Sequence, residues 1–345
     1  MADGEAMDAG RRLRIAVLGA GSVGCQLGGR LAPHAEVTLI GRAAAMAVLD
    51  ERGLRLTGGG QPETLVEPGG VRTATGPEAV AGADFVLVTV KSAGTEAVAR
   101  ELAPHLDDGT VVVSFQNGLR NAETLRSVLG AERTVVAGMV PYNIVQTEPG
   151  TYHQGSGGEL LLDAGPDAAP LAALLRRAGL PAQQHPDMRG VQYAKLLMNL
   201  NNALNALSGL PLREQLGQRD HRRCLAVLQR EALAAYRAAG IRPARLGLVA
   251  PRLTPTLLGL PDGVFRRVAA SALAIDEQAR SSMWEDLQRG RTTEIDSLQG
   301  EIVTLAARHG QRATANERLI ALVREAESGD GRTRTGAELL AELTR

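Results

Sequence analysis

The chain has 345 residues, of which 44% are apolar, so it is long enough for two domains with packed cores. Its 38 basic and 38 acidic side chains balance, and only 2% of its residues are aromatic. These numbers give no basis for nucleic acid or an anionic membrane as a partner. Residues 1–11 carry acidic side chains without an apolar stretch, which predicts a disordered arm rather than a signal peptide.

Continuous runs of β-branched residues alternate with helical patterns in the first half of the chain. The runs predict strands at 13–19, 36–41, 84–90, 110–115 and 133–140. The helical patterns predict helices at about 22–31, 95–102 and 119–129. This order predicts an α/β domain over residues 12–185, with a parallel sheet that is covered on both faces. A glycine-rich hairpin is expected at 151–163.

From residue 186 the patterns are helical only. They predict an all-α domain over 186–327, followed by a tail over 328–345 with one short helix at Ala337–Leu343. Within this domain, Asp187–Ser208 is predicted to be a single helix that Asp187 caps and Gly209 ends.

The two cysteines, Cys25 and Cys224, both fall within predicted helices. Two thiols in these positions form neither a metal site nor a disulfide framework, which fits a reduced, cytoplasmic protein. No apolar run reaches the roughly 18 residues that a membrane-spanning helix requires. We therefore expect no metal and no membrane partner.

A G-x-G-x-x-G motif, Gly19-Ala20-Gly21-Ser22-Val23-Gly24, joins the first predicted strand to the first predicted helix. In this position Gly19 permits a tight turn, Gly21 lets backbone N–H groups approach a pyrophosphate, and Gly24 lets the helix pack closely. The helix N-terminus adds partial positive charge. The motif therefore predicts a dinucleotide site, although a tight strand–helix turn without a ligand would show the same pattern.

The second predicted strand ends in Ile40-Gly41-Arg42, without the acid that NAD-preferring sites use for the ribose hydroxyls. The Arg42 guanidinium can pair with a 2′-phosphate, which favours NADP, unless Arg42 is only a solvated surface residue. Lys91 and Asn117 follow two further predicted strands, at the edge where open parallel sheets bind ligands. Alternatively, Lys91 is solvated and Asn117 caps the next helix.

The predicted helix at 187–208 concentrates amides around one amine. Lys195, Asn199 and Asn202 recur at i, i+4 and i+7, opposite an apolar stripe of leucines. Each Asn costs about 0.6 kcal/mol of helix propensity relative to Ala, so helix stability does not explain these residues. An amine flanked by amides suits an anionic substrate with a carbonyl group, and a hydrated polar face is the alternative.

A second polar segment contains Ser281-Ser282 and, further on, Glu294 and Asp296. The two acids are predicted in the first turn of a helix, where the macrodipole favours negative charge. This local effect can explain both acids, so their pattern by itself implies no chemistry.

Taken together, six segments resemble the ketopantoate reductase (2-dehydropantoate 2-reductase) family over about residues 13–325. They are GAGSVG (19–24), VLVTVKS (86–92), FQNG (115–118), YAKLLMN (193–199), SSM..D (281–286) and TTEID (292–296). The resemblance implies a Rossmann-type doubly wound domain, then an all-α domain like the C-terminal domain of 6-phosphogluconate dehydrogenase, with the active site between them. It also implies reduction of 2-dehydropantoate to (R)-pantoate by NADPH, on the route to pantothenate and coenzyme A.

The same resemblance implies roles for individual residues. Lys195 matches the catalytic lysine, which we expect to donate a proton to the reduced carbonyl oxygen. Glu294 matches the acid that pairs with the substrate's hydroxyl group. The positions that match substrate or cofactor contacts are Asn117, Asn199, Ser282, Lys91 and Arg42, of which Asn117 is expected near both ligands.

Three departures from the family pattern fall among its substrate contacts. Ala203 stands where members often have an asparagine, so Asn202 matches only after a one-residue shift. Ala279 replaces an asparagine of some members, and Gln299-Gly300 replaces Asn-Gly. Two alternatives therefore stay open: a reductase of another branched 2-oxo acid, and a non-catalytic NADP-binding regulator. A homodimer is one assembly that the sequence allows.

Overall fold

The computed structural model describes residues 11–269, 276–277, 279–329 and 331–345. Its strands are β1 Arg14–Leu18, β2 Glu36–Ile40, β3 Leu54–Gly58, β4 Thr64–Val66, β5 Arg72–Ala74, β6 Phe85–Val88, β7 Val111–Ser114, β8 Val135–Met139, β9 Ile144–Glu148, β10 Thr151–Gln154, β11 Leu160–Asp163 and β12 Ala182–His185. Its helices are α1 Ser22–Leu31, α2 Ala43–Arg52, α3 Thr95–Leu102, α4 Asn121–Leu129, α5 Ala169–Arg177, α6 Met188–Asn199, α7 Asn201–Ser208, α8 Leu212–Gly217, α9 Arg219–Ala238, α10 Thr254–Leu258, α11 Asp262–Val268, α12 Ser282–Gln288, α13 Ile295–Arg308, α14 Thr314–Glu327 and α15 Gly336–Leu343. Short 3₁₀ turns occupy Pro77–Val80, Ser92–Gly94, Ala103–His105 and Pro251–Leu253.

One eight-stranded sheet organises the N-terminal half, in the order β12-β11-β8-β7-β6-β1-β2-β5. The six strands from β8 to β5 are parallel to their neighbours. Their order is that of a dinucleotide-binding sheet, in which the direction of winding reverses between β1 and β6. The predicted doubly wound α/β fold is therefore confirmed. Residues 1–10 of the predicted N-terminal arm lie outside the described residues.

Both faces of this sheet are buried, as its continuous apolar strands predict. Within β1, Ile15 and Val17 face the core beneath α1, α2 and α5, whereas Ala16 and Leu18 face the core beneath α3, α4 and α6. The antiparallel pairing of β11 with β8 reverses the chain, and β12 runs parallel to β11. Helix α6 therefore starts where the parallel strands begin and runs along the sheet toward their carboxyl ends.

A second sheet, in the order β4-β3-β10-β9, packs against α1. Gln26 of α1 donates to Gln154 of β10 across this contact, at 3.1 Å. The predicted hairpin at 151–163 is wrong, because β10 pairs with β9 and β3 while β11 pairs with β8. The glycines between β10 and β11 cross from one sheet to the other. Local pattern could not show this, since the true strand partners are distant in sequence.

From Met188 on, the described elements are helices packed around the long helix α9. The helix predicted at 187–208 is instead two helices, α6 and α7, which meet at Leu200. Gln229 Nε2 donates to Leu197 O at 3.0 Å, and Gln299 Nε2 donates to Leu200 O at 2.9 Å. These side chains satisfy main-chain carbonyls at the junction, which makes the break tolerable. Apolar periodicity could not reveal it, because the leucines on both sides are buried.

The ends of this helical pair agree with the sequence. Asp187 caps α6 by accepting a hydrogen bond from Gly190 N at 2.8 Å, and Gly209 ends α7 in the left-handed conformation, with φ 68°. In the predicted tail 328–345, the short helix expected at Ala337–Leu343 is confirmed as α15, which begins with a capping box. Leu339 and Leu343 of α15 are buried in the same core as α9, so this segment is packed into the helical half.

The close contact between the glycine turn and α1 yields a stability test. An alanine at Gly24 would place its Cβ 2.3 Å from Gly19 O. Because backbone must move to relieve this overlap, we expect Gly24→Ala to lower the free energy of unfolding by about 1–3 kcal/mol. Urea denaturation measures the change. The matched control is Gly21→Ala, whose Cβ would meet nothing within 4 Å and should cost less than about 1 kcal/mol. Equal losses in the two variants would contradict this account.

Candidate active site

The turn between β1 and α1 carries the glycine motif, and the end of β2 holds it in place. Gly19 N and Ala20 N both donate to Ile40 O, at 2.9 and 3.0 Å. Gly19 has a φ of +108°, and a Cβ there would lie 2.7 Å from Val90 N, so only glycine fits. The position of a Cβ at Gly21 is open, and the first N–H groups of α1 have no partners within the helix. This geometry fits the pyrophosphate of a dinucleotide.

Arg42 lies two residues beyond the end of β2 and is exposed at the N-cap of α2. Among the described residues it makes no ion pair, so its guanidinium is available to a phosphate group at the end of β2. The carboxylate that would bind ribose hydroxyls is absent from this strand end, as the sequence shows.

Lys195 reaches the carboxyl ends of the parallel strands from α6. Its Nζ donates to Pro141 O at 3.0 Å, and Pro141 lies just beyond the end of β8. The side chain is half-buried, and burial lowers the pKa of Lys195 to about 8. At neutral pH the amine is therefore mostly protonated and gives up its proton more readily than an exposed lysine, which suits a general acid.

The asparagines around Lys195 divide into two groups. Asn199, one turn further along α6, donates to Asn117 Oδ1 at 3.3 Å, which joins the helical half to the loop after β7. Asn201 and Asn205 are buried and donate to Gln215 Oε1, at 3.1 and 3.3 Å. Those two amides hold α8 against α7 and have no access to a ligand. The sequence pattern could not separate the two groups, because the break at Leu200 changes which side chains share a face.

Glu294 crosses from the helical half to the sheet. The sequence predicted Glu294 in the first turn of a helix, whereas the structure places it at the N-cap of α13. Its Oε1 accepts hydrogen bonds from both N and Oγ of Ser92, each at 3.0 Å. Ser92 begins the 3₁₀ turn after β6, and a serine near a strand end carries no sequence signal of its own.

Lys91, next to Ser92, also contacts the helical half of the chain. Its Nζ lies 2.6 Å from Asp286 Oδ1 and donates to Thr292 O at 3.0 Å. Burial raises the pKa of Asp286, and the adjacent Lys91 opposes this shift by stabilising the charged carboxylate. The cofactor contact expected of Lys91 stays a prediction, and Asp286 is a partner that the sequence analysis does not assign.

Ser282 and Ser281 have different surroundings. Ser281 is buried, accepts a hydrogen bond from Trp284 N at 3.1 Å, and donates to Asn202 O at 3.0 Å. It therefore caps α12 and ties it to α7. Ser282 is exposed at the start of α12, and the half-buried Asn202 lies close by on α7. Substrate contacts by Ser282 and Asn202 stay predictions.

Polar contacts of Lys195, Asn199, Asp286 and Glu294 join α6, α12 and α13 to the loops after β6, β7 and β8, and we call the space between these two sides the cleft. Within the described ranges, no group of three or more His, Cys, Asp or Glu side chains is placed to bind a metal ion. In the part of the chain that the structure covers, no helix has both the length and the apolar character needed to cross a bilayer.

A doubly wound sheet with a glycine-rich turn after its first strand, joined to a helical C-terminal half, is typical of nucleotide-dependent oxidoreductases. Residues 15–166 match the family described as "Ketopantoate reductase PanE/ApbA", and residues 187–327 match "Ketopantoate reductase PanE/ApbA C terminal". The chain belongs to the ketopantoate reductase family and is an oxidoreductase. Membership implies a nicotinamide cofactor.

Individual relatives extend over almost the whole chain. The 2-dehydropantoate 2-reductase of Archaeoglobus fulgidus is 31% identical and covers 92% of this chain and 98% of its own length. That of Halobacterium salinarum is 30% identical, covering 91% of this chain and 99% of its own. The crystal structure of a PanE/ApbA family ketopantoate reductase from Ralstonia eutropha JMP134 is 34% identical, with a TM-score of 0.76, and the match covers 92% of this chain and 99% of that one.

The open space at Gly21 yields a binding test that is separate from stability. Gly21→Ala should weaken NADPH binding by about 10–100-fold, because the added methyl group occupies the side from which a pyrophosphate approaches the N–H groups. Isothermal titration calorimetry measures the affinity, and circular dichroism verifies that the variant is folded. Wild-type affinity in a folded Gly21→Ala protein would show that the dinucleotide does not bind at this turn.

Proposed function

We propose that this protein reduces 2-dehydropantoate to (R)-pantoate with NADPH as the hydride donor, in the cytoplasm. The observation that carries the proposal is the amine of Lys195, held by Pro141 O at 3.0 Å beside the strand ends where the dinucleotide turn opens. The 2-dehydropantoate 2-reductases of Archaeoglobus fulgidus and Halobacterium salinarum, which match nearly all of the chain, support the choice of substrate.

The residues proposed to hold NADPH are the turn at 19–24, Arg42 at the 2′-phosphate, Lys91, and Asn117 near the nicotinamide. When bound, NADPH supplies a hydride to the carbonyl carbon of the 2-oxo acid. Of the three donors on the Lys195 ammonium, one is used by Pro141 O, and the others are available to the carbonyl oxygen. The ammonium stabilises the negative charge that grows on that oxygen and then protonates it, which completes the alcohol.

The remaining side chains of the cleft orient the substrate. We assign Glu294 to the hydroxyl group of 2-dehydropantoate, and Asn117, Asn199, Asn202 and Ser282 to its carboxylate and carbonyl. Asn117 and Asn199 already contact each other at 3.3 Å, so a substrate between them would exchange this hydrogen bond for its own. The proposed domains, 12–185 and 186–327, supply one side of the cleft each.

One alternative substrate is another branched 2-oxo acid. The surroundings of Ala279 favour this alternative. Ala279 is buried, and its Cβ lies 3.0 Å from the position that a Cβ on Gly155 would take. Ala279 is therefore a packing residue, and no substrate contact is available there. Comparing kcat/KM for 2-dehydropantoate and for other branched 2-oxo acids, with NADPH in each assay, decides between the two. A higher value for another acid would replace the proposed substrate.

Removing the amine of Lys195 tests the chemical step. We expect Lys195→Met, which removes the amine and keeps an unbranched side chain one atom shorter, to lower kcat by about 10²–10⁴-fold, the usual contribution of a general acid. Affinity for NADPH should stay within twofold of wild type. The decrease in NADPH absorbance measures turnover, and calorimetry measures binding. Near-normal turnover with intact NADPH binding would remove Lys195 from the mechanism.

The role of Lys195 as the proton donor also predicts how kcat/KM depends on pH. Its pKa is lowered to about 8, so the proton-donating form is present below this pH and is lost above it. We expect kcat/KM for reduction to be flat below pH 8 and to fall about tenfold per pH unit above it. Oxidation of pantoate, which needs the neutral amine, should instead rise about tenfold per pH unit below pH 8 and level off above it. A reduction profile that is flat beyond pH 9.5 would contradict the assignment.

Arg42 tests the choice between NADPH and NADH. Arg42→Ala removes the cation proposed to pair with the 2′-phosphate, so kcat/KM with NADPH should fall by about 10–100-fold. The value with NADH should change less than twofold, since NADH has no phosphate at that position. Both are measured from initial rates at saturating 2-oxo acid. Arg52→Ala, which removes an exposed arginine at the other end of α2, is the control. Equal effects on both cofactors would refute this role of Arg42.

A further inference from the structure

We infer that Ser92 is a positioning residue of this reductase, which sets the places of Glu294 and Asn117 in the cleft. The inference rests on the proposed function, because that proposal assigns Glu294 and Asn117 to the substrate. Ser92 itself is not proposed to touch substrate or cofactor.

Ser92 joins three separate parts of the molecule. It opens the 3₁₀ turn after β6, and its N and Oγ both donate to Glu294 Oε1 of the helical half, each at 3.0 Å. Its Oγ also lies 2.8 Å from Asn117 O, in the loop after β7, which is the alternative acceptor for its single proton. Asn121 Nδ2 at the start of α4 donates back to Ser92 Oγ at 3.2 Å. One small side chain thus links two strand-end loops to the opposite side of the cleft.

The contacts of Ser92 with Glu294 use one of the two carboxylate oxygens. Both Ser92 donors meet Oε1, and among the described residues Oε2 has no hydrogen-bond partner. Two donors on one oxygen restrict rotation of the carboxylate, and they leave Oε2 to accept a hydrogen bond from a substrate hydroxyl group. Without Ser92 Oγ, the backbone N–H alone would hold Oε1, and the carboxylate could rotate away from the substrate.

The contact with Asn117 acts on its main chain. Asn121 Nδ2 donates to Asn117 O, Ser92 Oγ lies within hydrogen-bond distance of the same oxygen, and Thr95 Oγ1 donates to Asn121 Oδ1 at 2.7 Å. Gln116 Nε2 in turn donates to Thr95 Oγ1 at 2.7 Å, which extends this network into buried structure. Because the backbone of Asn117 is held in this way, its side chain is directed toward Asn199 and the cleft.

A serine hydroxyl has only one proton, so Ser92 Oγ cannot donate fully to Glu294 and to Asn117 O at the same time. The ionised carboxylate is the stronger acceptor. The carbonyl of Asn117 keeps its second donor, Asn121, when the proton turns to Glu294. Loss of the hydroxyl should therefore affect mainly Glu294, and only in part, because the N–H of Ser92 persists.

The experiment compares Ser92→Ala with Ser92→Thr, which keeps the hydroxyl group. We expect Ser92→Ala to lower kcat/KM for 2-dehydropantoate by about tenfold while the Kd for NADPH changes less than twofold. Ser92→Thr should recover most of the activity. Ser127→Ala removes an exposed hydroxyl whose sole hydrogen-bond partner among the described residues is Thr124 O of its own helix, so it controls for serine loss and should leave activity unchanged.

A double-mutant cycle tests whether Ser92 acts through Glu294. In a Glu294→Ala background, adding Ser92→Ala should lower kcat/KM less than a further twofold, because the carboxylate to be positioned is already absent. A residue with a merely structural role would cause the same tenfold loss in both backgrounds. Additive effects, or no loss from Ser92→Ala in the wild type, would overturn the inference.

Wild-type activity separates this inference from the proposal beneath it. If the wild type reduces 2-dehydropantoate and Ser92→Ala is fully active, the inference alone fails. If the wild type reduces no 2-oxo acid, the proposed function fails and the inference falls with it.

Discussion

The ammonium group of Lys195 donates to Pro141 O at the carboxyl ends of the parallel strands, its one hydrogen-bond partner among the described residues, and the proposed chemistry depends on this contact. A half-buried amine is costly in its charged form, which is why burial lowers the pKa of Lys195 to about 8. The carbonyl beneath it offsets part of that cost without neutralising the charge. An amine in this state can stabilise a developing alkoxide and still release its proton.

The path of the chain explains how a helix of the second half reaches this position. Because β11 runs antiparallel to β8, the chain returns to the edge where the parallel strands begin. Helix α6 then covers the sheet from that edge, with Met188 and Val191 packed into the sheet core. Its last turns therefore arrive at the opposite edge, where the strand-end loops bind ligands in open α/β sheets. The reversal at β11 thus connects the sheet core to the chemistry.

Besides the contact of Lys195 with the loop after β8, polar contacts across the cleft come from the two strand-end loops after β6 and β7. Lys91 and Ser92 after β6 meet Asp286 and Glu294, and Asn117 after β7 meets Asn199. Each pair joins the sheet half to the helical half with few atoms, in contrast to the large apolar cores on either side. Such contacts can exchange for ligand atoms at low cost, which is what a site between two domains requires. The apolar cores cannot do so, since their packing is lost when they open.

Local sequence is sufficient for the features whose causes are local. The glycine turn at 19–24, the buried parallel strands, the Asp187 cap and the lysine with its neighbouring amide follow from spacing and residue type, because each depends on a few consecutive residues. Tertiary structure alone decided the rest. Gln229 and Gln299 stabilise the break between α6 and α7 at Leu200. Asn201 and Asn205 are buried against Gln215. Ser92 and Glu294 meet through hydrogen bonds between the two halves of the chain. These partners lie between 10 and 202 positions apart in the chain, and no periodicity encodes a pairing whose geometry depends on how separate elements pack.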